Sequence, residues 1–254
     1  MRDKYKSLKK WFNSYTNKFA MENEKDQKNI NLKIDHSLRV VADMEEIIGG
    51  FTMSEEEKYL AKIIALYHDI GRFKQYQEYQ TFSDYKSKDH GSLGVEVIKE
   101  NKLVEDLKQD YQNIIYKAIE QHNKAVIDQD YFASEKEILF AKLIRDADKL
   151  DIFNIFVERY ENGSQKDFII KLSTDPKISD EVYEKVLNKE AINYDKLETL
   201  NDLKMMQLSW VYDINFDKTI EIIKDRKYID TIYNSMEKTE EVEHVYNEIK
   251  SYMG

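Results

Sequence analysis

The sequence has 254 residues and no cysteine, which excludes disulfide bonds, thiolate metal sites and cysteine nucleophiles. Its net charge of −10 disfavours a protein that binds duplex nucleic acid, because such proteins usually present a basic surface. Hydrophobic residues make up 41% and charged residues 35% of the chain. This balance allows an apolar core under a heavily charged surface, in one large domain or two small ones.

Turn-forming residues are scarce, with 7 glycines and 1 proline. Folds rich in strands need frequent turns, so this scarcity predicts an all-α protein. No apolar run approaches the roughly 20 residues of a membrane span. The aromatic residues near the N-terminus alternate with polar ones, which is not typical of a secretory signal. We therefore expect a cytoplasmic protein that binds no membrane.

The N-terminal third of the chain contains His36, the first of the residues that could bind a metal ion. Residues 1–20 have the spacing of a basic, aromatic amphipathic helix, which we expect to dock on the core rather than on a membrane surface. The polar segment 22–29 is interpreted as a linker. A helix is predicted over 30–48, with His36 on its inward face and Gly49-Gly50 at its end.

A capping box, Ser54-Glu55-Glu56-Glu57, marks the start of the next helix. This helix is expected to run into His68-Asp69 and to stop at Gly71. Two neighbouring side chains at a helix end, such as His68 and Asp69, can both reach one metal ion, or one of them can bridge two ions. The polar segment 73–89 is interpreted as a loop or a short irregular helix.

Two further histidines follow at predicted helix ends. His90 opens a short helix, and His122 lies inward at the end of a helix over about 105–122. The next helix begins at a second capping box, Ser134-Glu135-Lys136-Glu137. Its apolar stripe is predicted to include Asp148, between Ile144 and Ile152, with Asp146 facing elsewhere.

A buried carboxylate must be paired or bind a metal ion. Asp148 is therefore the candidate ligand, and Asp151 is a candidate for orienting a ligand. The remainder, 153–254, is predicted to be helical, with start signals at Asp175-Pro176 and Ser179 and one long helix near 228–250. The pattern shows neither an internal repeat nor a domain break, so a single domain is expected.

The candidate ligands combine imidazoles and carboxylates, a mixture that suits divalent metal ions. They are His36, His68, Asp69, His90, His122 and Asp148. Six ligands are too many for one catalytic ion that keeps an open position, and they suit two ions with one bridging carboxylate. Paired ions can clamp a phosphoryl group and generate a hydroxide nucleophile near neutral pH.

The order His…His-Asp…Asp resembles that of the HD superfamily of metal-dependent phosphohydrolases. The resemblance covers about residues 30–155, from His36-Ser37-Leu38-Arg39-Val40 through His68-Asp69-Ile70-Gly71-Arg72 to Asp146-Ala147-Asp148-Lys149-Leu150-Asp151. It implies an HD-domain helical bundle over these residues. Residues 156–254 lie outside the resemblance, and we expect them to form additional C-terminal helices packed on the core.

The resemblance also implies a role for each ligand. His36, His68, Asp69 and Asp148 would bind a first metal ion, with Asp69 bridging to a second ion held by His90 and His122. Both ions would be divalent, and the candidate metals are Mn, Fe, Co, Ni, Mg and Zn. Arg72 and Lys149 would face the phosphate of the substrate and serve catalysis together with Asp69.

The function implied is hydrolysis of a small phosphorylated compound or nucleotide, either a phosphomonoester or a phosphodiester. Two alternatives share the ligands. One is a di-iron HD-type oxygenase, and the other is a non-catalytic, metal-stabilised interaction module, which would need a site closed to solvent. The sequence does not reveal the substrate or the oligomeric state.

Overall fold

The computed structural model describes residues 1–163 and 172–254. In these residues the secondary structure is helical, apart from one isolated β-bridge between Ser173 and Thr199. The predicted all-α fold class is therefore confirmed. None of the described helices is long and apolar enough to cross a membrane.

By contacts between Cα atoms, the chain divides into two compact units, Met1–Asp151 and Ile152–Gly254. That the C-terminal helices form one domain with the HD core stays a prediction. Unit 1 contains α1 (Arg2–Thr16), α2 (Glu24–Ile48), α3 (Glu55–Tyr67), α4 (Gly71–Tyr79), α5 (His90–Glu100), α6 (Gln109–Gln121) and the first part of α7 (Glu135–Glu161).

Helix α1 docks on the core of unit 1, as expected from its apolar spacing. Leu8 and Phe12 are buried, and the Tyr67 hydroxyl donates a hydrogen bond of 2.9 Å to the Leu8 carbonyl. Complete burial of a side chain such as Phe12 stabilises the fold by about 1.5–3 kcal/mol. The face of α1 that carries these residues is thus a core surface.

Helix α2 begins at Glu24, so the predicted linker over 22–29 is wrong. The Asn23 side chain caps the helix by accepting hydrogen bonds from the amides of Lys25 and Asp26. Acidic residues in the first turn also favour a helix there through its dipole. The apolar periodicity begins only later, which is why the pattern placed the start too far along the chain.

The capping box at Ser54 is confirmed, with both reciprocal hydrogen bonds present. The helix it starts ends at Tyr67, before the His68-Asp69 pair, and Gly71 begins α4 instead of ending α3. A Cβ atom on Gly71 would lie 2.2 Å from the His90 carbonyl oxygen. Glycine is needed because α4 and α5 approach closely here.

The segment predicted as a loop is partly helical. Helix α4 occupies its first part, and a loop over 80–89 follows, with a short 3₁₀ turn at Asp84–Lys86. The buried Gln75 side chain holds this loop, because its amide donates to the Asp84 carboxylate at 2.8 Å and to the Lys88 carbonyl at 2.9 Å. The loop is therefore fixed against α4.

Helices α5 and α7 begin near the predicted residues. Asp89 caps α5 by accepting from the Ser92 amide, so His90 is the first residue of α5. At the second predicted capping box, the Ser134 hydroxyl accepts from the Glu137 amide, but the Glu137 carboxylate accepts from the Ala133 amide rather than that of Ser134.

Unit 2 continues α7 and adds five shorter helices in its described residues. They are α8 (Asp180–Leu187), α9 (Leu200–Ser209), α10 (Asp217–Asp225), α11 (Tyr228–Asn234) and α12 (Glu240–Met253). Ser179 precedes α8 as expected, but its hydroxyl donates to Asp202 at 2.6 Å and does not cap the helix. The carboxylate of Asp202 thereby ties the start of α8 to α9.

The long helix predicted near 228–250 is wrong, because the chain forms α11 and α12 with a break between them. The Thr239 hydroxyl accepts from the Val242 amide and starts a new helix. His244 is exposed on α12, as predicted, and lies 2.7 Å from the Tyr183 hydroxyl. Both apolar stripes had the same period, so the pattern alone joined them.

Candidate metal centre

The predicted ligands come together within unit 1 because most of them lie at helix ends. His68 and Asp69 occupy the turn between α3 and α4, His90 begins α5, and His122 ends α6. His36 lies within α2 and Asp148 within α7. The structure therefore gathers all six predicted ligands around one centre.

Each imidazole is oriented by its Nδ1 atom, which points away from the centre. The four Nδ1 contacts are His36 to Asp151 Oδ2 (2.6 Å), His68 to the Ala65 carbonyl (2.8 Å), His90 to Asp84 Oδ2 (2.7 Å) and His122 to the Ile119 carbonyl (2.6 Å). These oxygens only accept, so each Nδ1 carries a proton and each Nε2 is directed inward. Metal-binding histidines are commonly held in this way.

The first cluster is formed by His36, His68, Asp69 and Asp148. His36 Nε2 lies 3.1 Å from His68 Nε2 and 3.1 Å from Asp148 Oδ1, and it lies 3.5 Å from Asp69 Oδ2. His68 Nε2 is 3.7 Å from Asp148 Oδ1 and 3.8 Å from Asp69 Oδ2. The Nε2 atom of each histidine thus lies within 3.8 Å of an oxygen of each aspartate.

The second cluster is formed by His90, His122 and the other oxygen of Asp69. The two Nε2 atoms are 3.0 Å apart, and Asp69 Oδ1 lies 3.2 Å from His90 Nε2 and 3.8 Å from His122 Nε2. Asp69 therefore presents one oxygen to each cluster. This is the placement that a bridging carboxylate requires.

The spacing of these atoms fits divalent metal ions. Two ligands bound at about 2.1 Å and at right angles lie about 3.0 Å apart, close to the separations within each histidine pair. Two unprotonated Nε2 atoms at 3.0 Å repel one another unless a cation or a proton lies between them. The donor set, imidazole with carboxylate, suits first-row transition metals.

Positive charge surrounds the central carboxylate. Lys33 Nζ lies 2.8 Å from Asp69 Oδ2, and Arg72 Nε lies 3.3 Å from Asp69 Oδ1. Burial raises the pKa of Asp69, but these charges, first of all that of Lys33, outweigh burial and hold the pKa well below its usual range. Asp69 is thus ionised and ready to bind a cation.

His36 of the first cluster and His122 of the second differ in pKa. Burial lowers the pKa of His36, but hydrogen bonds with Asp148 and Asp151 outweigh it and raise the pKa to about 9. Burial lowers the pKa of His122 to about 4, although Asp69 opposes this shift. Without metal, a proton on His36 therefore balances the charge of the first cluster, while His122 stays neutral.

The two aspartates of α7 are not placed as the apolar stripe predicted. Asp146 is fully buried and interacts with another residue, whereas the side chain of Asp148 is 21% exposed. Asp146 lies on the line of Leu150 and Phe153, which are both buried. The predicted apolar stripe runs through Ile152, but Ile152 is only half-buried. Asp148 is the most exposed of the six candidate ligands.

Arg72 is engaged by the protein itself. Besides Asp69, its guanidinium donates to the Gln75 side chain at 3.0 Å, to Asp84 at 3.3 Å and to the Phe82 carbonyl. These bonds use Nε and Nη1, and Nη2 makes no hydrogen bond to any residue that the structure describes. Lys149 follows Asp148 and is half-buried. A role of either residue toward phosphate stays a prediction.

Two residues of the centre were not found in the sequence. Lys33 lies one turn before His36, a spacing that places both on one face of α2. Asp84 lies in the loop over 80–89 and accepts from His90, Arg72, Gln75 and Asn123. The Lys33 spacing was a usable signal, whereas no periodicity marks Asp84. Asp151, already a candidate for orienting a ligand, holds His36.

The geometry defines a candidate metal centre inside a helical bundle. Residues 34–152 match the family model of the HD domain, so this part of the chain is an HD domain. The resemblance drawn from the motif is confirmed. HD domains form a superfamily of metal-dependent hydrolases, and they bind divalent metal ions. Comparisons with curated proteins and with solved structures gave no significant match.

Proposed function

We propose that the chain is a metal-dependent phosphohydrolase that acts on a small phosphorylated compound or nucleotide. The observation that carries this proposal is the position of Asp69, with one oxygen toward each pair of histidines. Two divalent ions bound there would supply Lewis-acid charge for a phosphoryl group and lower the pKa of a coordinated water. The number and the identity of the ions are part of the proposal.

The residues of the chain would orient the ligands and neutralise charge. His36 and His68 would bind one ion with Asp148, His90 and His122 would bind the other, and Asp69 would bridge. Since Arg72 is anchored on Asp69, Nη2 is the nitrogen that we assign to the substrate phosphate. Lys149, which follows Asp148 in the chain, would also contact the substrate phosphate.

Exposure at the first cluster favours an enzyme over a closed interaction module. Asp148 is 21% exposed, while Asp69 is 4% exposed and His68 is fully buried. A metal ion that only stabilises a module would be closed off from solvent on every side. One partly exposed ligand among buried ones is what we expect of a catalytic metal site, which keeps a position open for water or substrate.

The test is a metal and substrate panel. Metal-free protein would be loaded with Mn, Fe, Co, Ni, Mg or Zn and assayed for hydrolysis of mononucleotides, dinucleotides and p-nitrophenyl phosphate mono- and diesters, by separating the products. We expect turnover with at least one metal, reduced at least about 100-fold in His90→Ala. His244→Ala is the matched control, because His244 is exposed on α12, and it should retain full activity.

The proposal would be contradicted if none of the metals supported hydrolysis of any of these esters. Oxygen consumption by the iron-loaded protein, with a mixed-valent di-iron EPR signal, would favour the oxygenase alternative. Turnover that is equal in His90→Ala and wild type would show that the activity arises elsewhere.

A further inference from the structure

Lys33 is the cation closest to the bridging carboxylate. Its Nζ lies 2.8 Å from Asp69 Oδ2, the oxygen directed at the first cluster, and 5.6 Å from the centre of the Phe82 ring. The Lys33 side chain is 17% exposed, whereas those of His36 and Asp69 are each 4% exposed. Lys33 therefore lies between the buried ligands and solvent.

Two other cations near the centre, Arg39 and Arg72, each donate to more than one oxygen atom. Arg39 donates to both oxygens of Asp151, and Arg72 donates to Asp69, Gln75 and Asp84. Among the described residues, Asp69 is the one carboxylate that the Lys33 ammonium contacts. An ammonium has no lone pair, so Lys33 cannot itself be a metal ligand.

The contact between Lys33 and Asp69 depends on the charge left on Asp69. When both oxygens of Asp69 coordinate cations, its attraction for the ammonium falls, since most of its charge is then neutralised. The ammonium nevertheless stays beside the centre, because Lys33 lies on α2 one turn from His36 and its Nζ lies near the Phe82 ring. It is then available to an anion that reaches the first cluster from solvent, since the Lys33 side chain is partly exposed.

We propose that Lys33 binds an oxygen of the substrate phosphoryl group in the metal-loaded centre. Lys33 thus has two partners in turn, Asp69 in the metal-free protein and the phosphoryl oxygen in the complex. This inference rests on the proposed function, because it assumes that the ligand is a phosphoryl compound. It makes Lys33 a substrate-binding residue and not only a neighbour that tunes Asp69.

The test measures binding of metal ions and of inorganic phosphate separately, by calorimetry. The variants are Lys33→Met, which removes the charge at similar volume, and Lys33→Arg, which keeps it. Lys28→Met is the matched control, because Lys28 lies on the same helix and pairs with Glu24 at the surface. Retained helicity by circular dichroism establishes that each variant is folded.

We expect Lys33→Met to weaken phosphate binding to the metal-loaded protein by about 10- to 100-fold, the loss expected for one charge-assisted hydrogen bond. Metal affinity should be equal or higher, since a positive charge next to Asp69 has been removed. Lys33→Arg should restore part of the phosphate binding, and Lys28→Met should match wild type.

Two results overturn the inference. Phosphate affinity in Lys33→Met equal to that of wild type would show that Lys33 does not bind the anion, and the proposed function would still stand. A joint loss of metal and phosphate binding in Lys33→Met would show that Lys33 only supports the ligands. If metal-loaded wild type binds no phosphate, the proposed function itself fails, and this inference with it.

Discussion

At the scale of single residues, each histidine of the centre is oriented by the nitrogen that faces away from it. Two of the four acceptors are backbone carbonyls, at Ala65 and Ile119, and two are carboxylates, Asp84 and Asp151. The candidate ligands could be selected from the sequence because imidazole and carboxylate side chains are chemically distinctive. Their acceptors could be predicted only in part, since a carbonyl is present at every residue and Asp84 lies in a segment without periodicity.

The two orienting carboxylates should act on different ions. Asp84→Asn is expected to weaken binding at the second cluster by about 10- to 100-fold and to leave the first nearly unchanged, because Asp84 contacts His90 alone among the ligands. Asp151→Asn should weaken metal binding at the first cluster and leave the second nearly unchanged, because Asp151 contacts His36. Titration of metal-free protein with Co²⁺, followed by its visible absorption, distinguishes the two sites. Equal weakening of both sites in either variant would contradict this assignment.

Metal binding should release a proton from His36. In the metal-free protein the pKa of His36 is raised to about 9, from an ordinary 6.5, so the ring is charged at pH 7. This protonation stabilises the metal-free fold fully below pH 6.5, and the stabilisation is lost as the pH rises through 9. Metal affinity should therefore increase with pH up to about 9, by as much as about tenfold per unit.

Calorimetry in two buffers of different ionisation enthalpy would count the released protons at pH 7. The release should disappear in His36→Gln, although binding will be weaker. His122 should release none, because its pKa is lowered to about 4. An affinity that does not change between pH 6.5 and 8.5 would contradict this account of His36.

At the scale of elements, the centre depends on how helices end and where the next ones begin. Periodicity and capping residues were sufficient to predict most helices of unit 1, including those that carry His36 and His90. They were insufficient at the junctions, because a junction is set by contacts between elements that are distant in sequence. The turn after Tyr67 is the clearest case, since Gly71 is required by the approach of α5.

Gly71→Ala should therefore destabilise unit 1 and disturb the centre. The added Cβ would lie 2.2 Å from the His90 carbonyl oxygen and 2.5 Å from the Gly94 amide nitrogen, both rigid backbone atoms. We expect a loss of about 1–3 kcal/mol or more in the free energy of unfolding, measured with urea, together with weaker metal binding. The helices must separate to accept the methyl group, and His90 would move with α5.

Gly94→Ala provides the comparison for Gly71→Ala. Its Cβ would lie 3.2 Å from a methyl group of Ile119, a side chain that can shift by a few tenths of an ångström. A smaller loss of stability is expected, with metal binding largely retained. Equal losses in the two variants would indicate that the close approach at Gly71 is not what requires glycine.

At the scale of the whole molecule, the acidic chain places a group of cations at its candidate centre. The net charge is −10, yet Lys33, Arg39 and Arg72 all lie against the carboxylates of the centre. The net charge of the chain carries no information about this site, because nearby charges dominate the electrostatics at distances of a few ångströms. All residues of the centre belong to the unit Met1–Asp151. The function of the second unit could not be predicted from its periodicity.

The most direct test of the central claim is the number of metal ions bound per chain, before and after a change at Asp69. Elemental analysis of wild-type protein loaded with Mn²⁺ or Co²⁺ and freed of excess metal should give two ions per chain. Asp69→Asn, folded by circular dichroism, should retain fewer than one, because both clusters lose their shared carboxylate. Two ions retained in Asp69→Asn, or one ion or none in wild type, would contradict a centre bridged by Asp69.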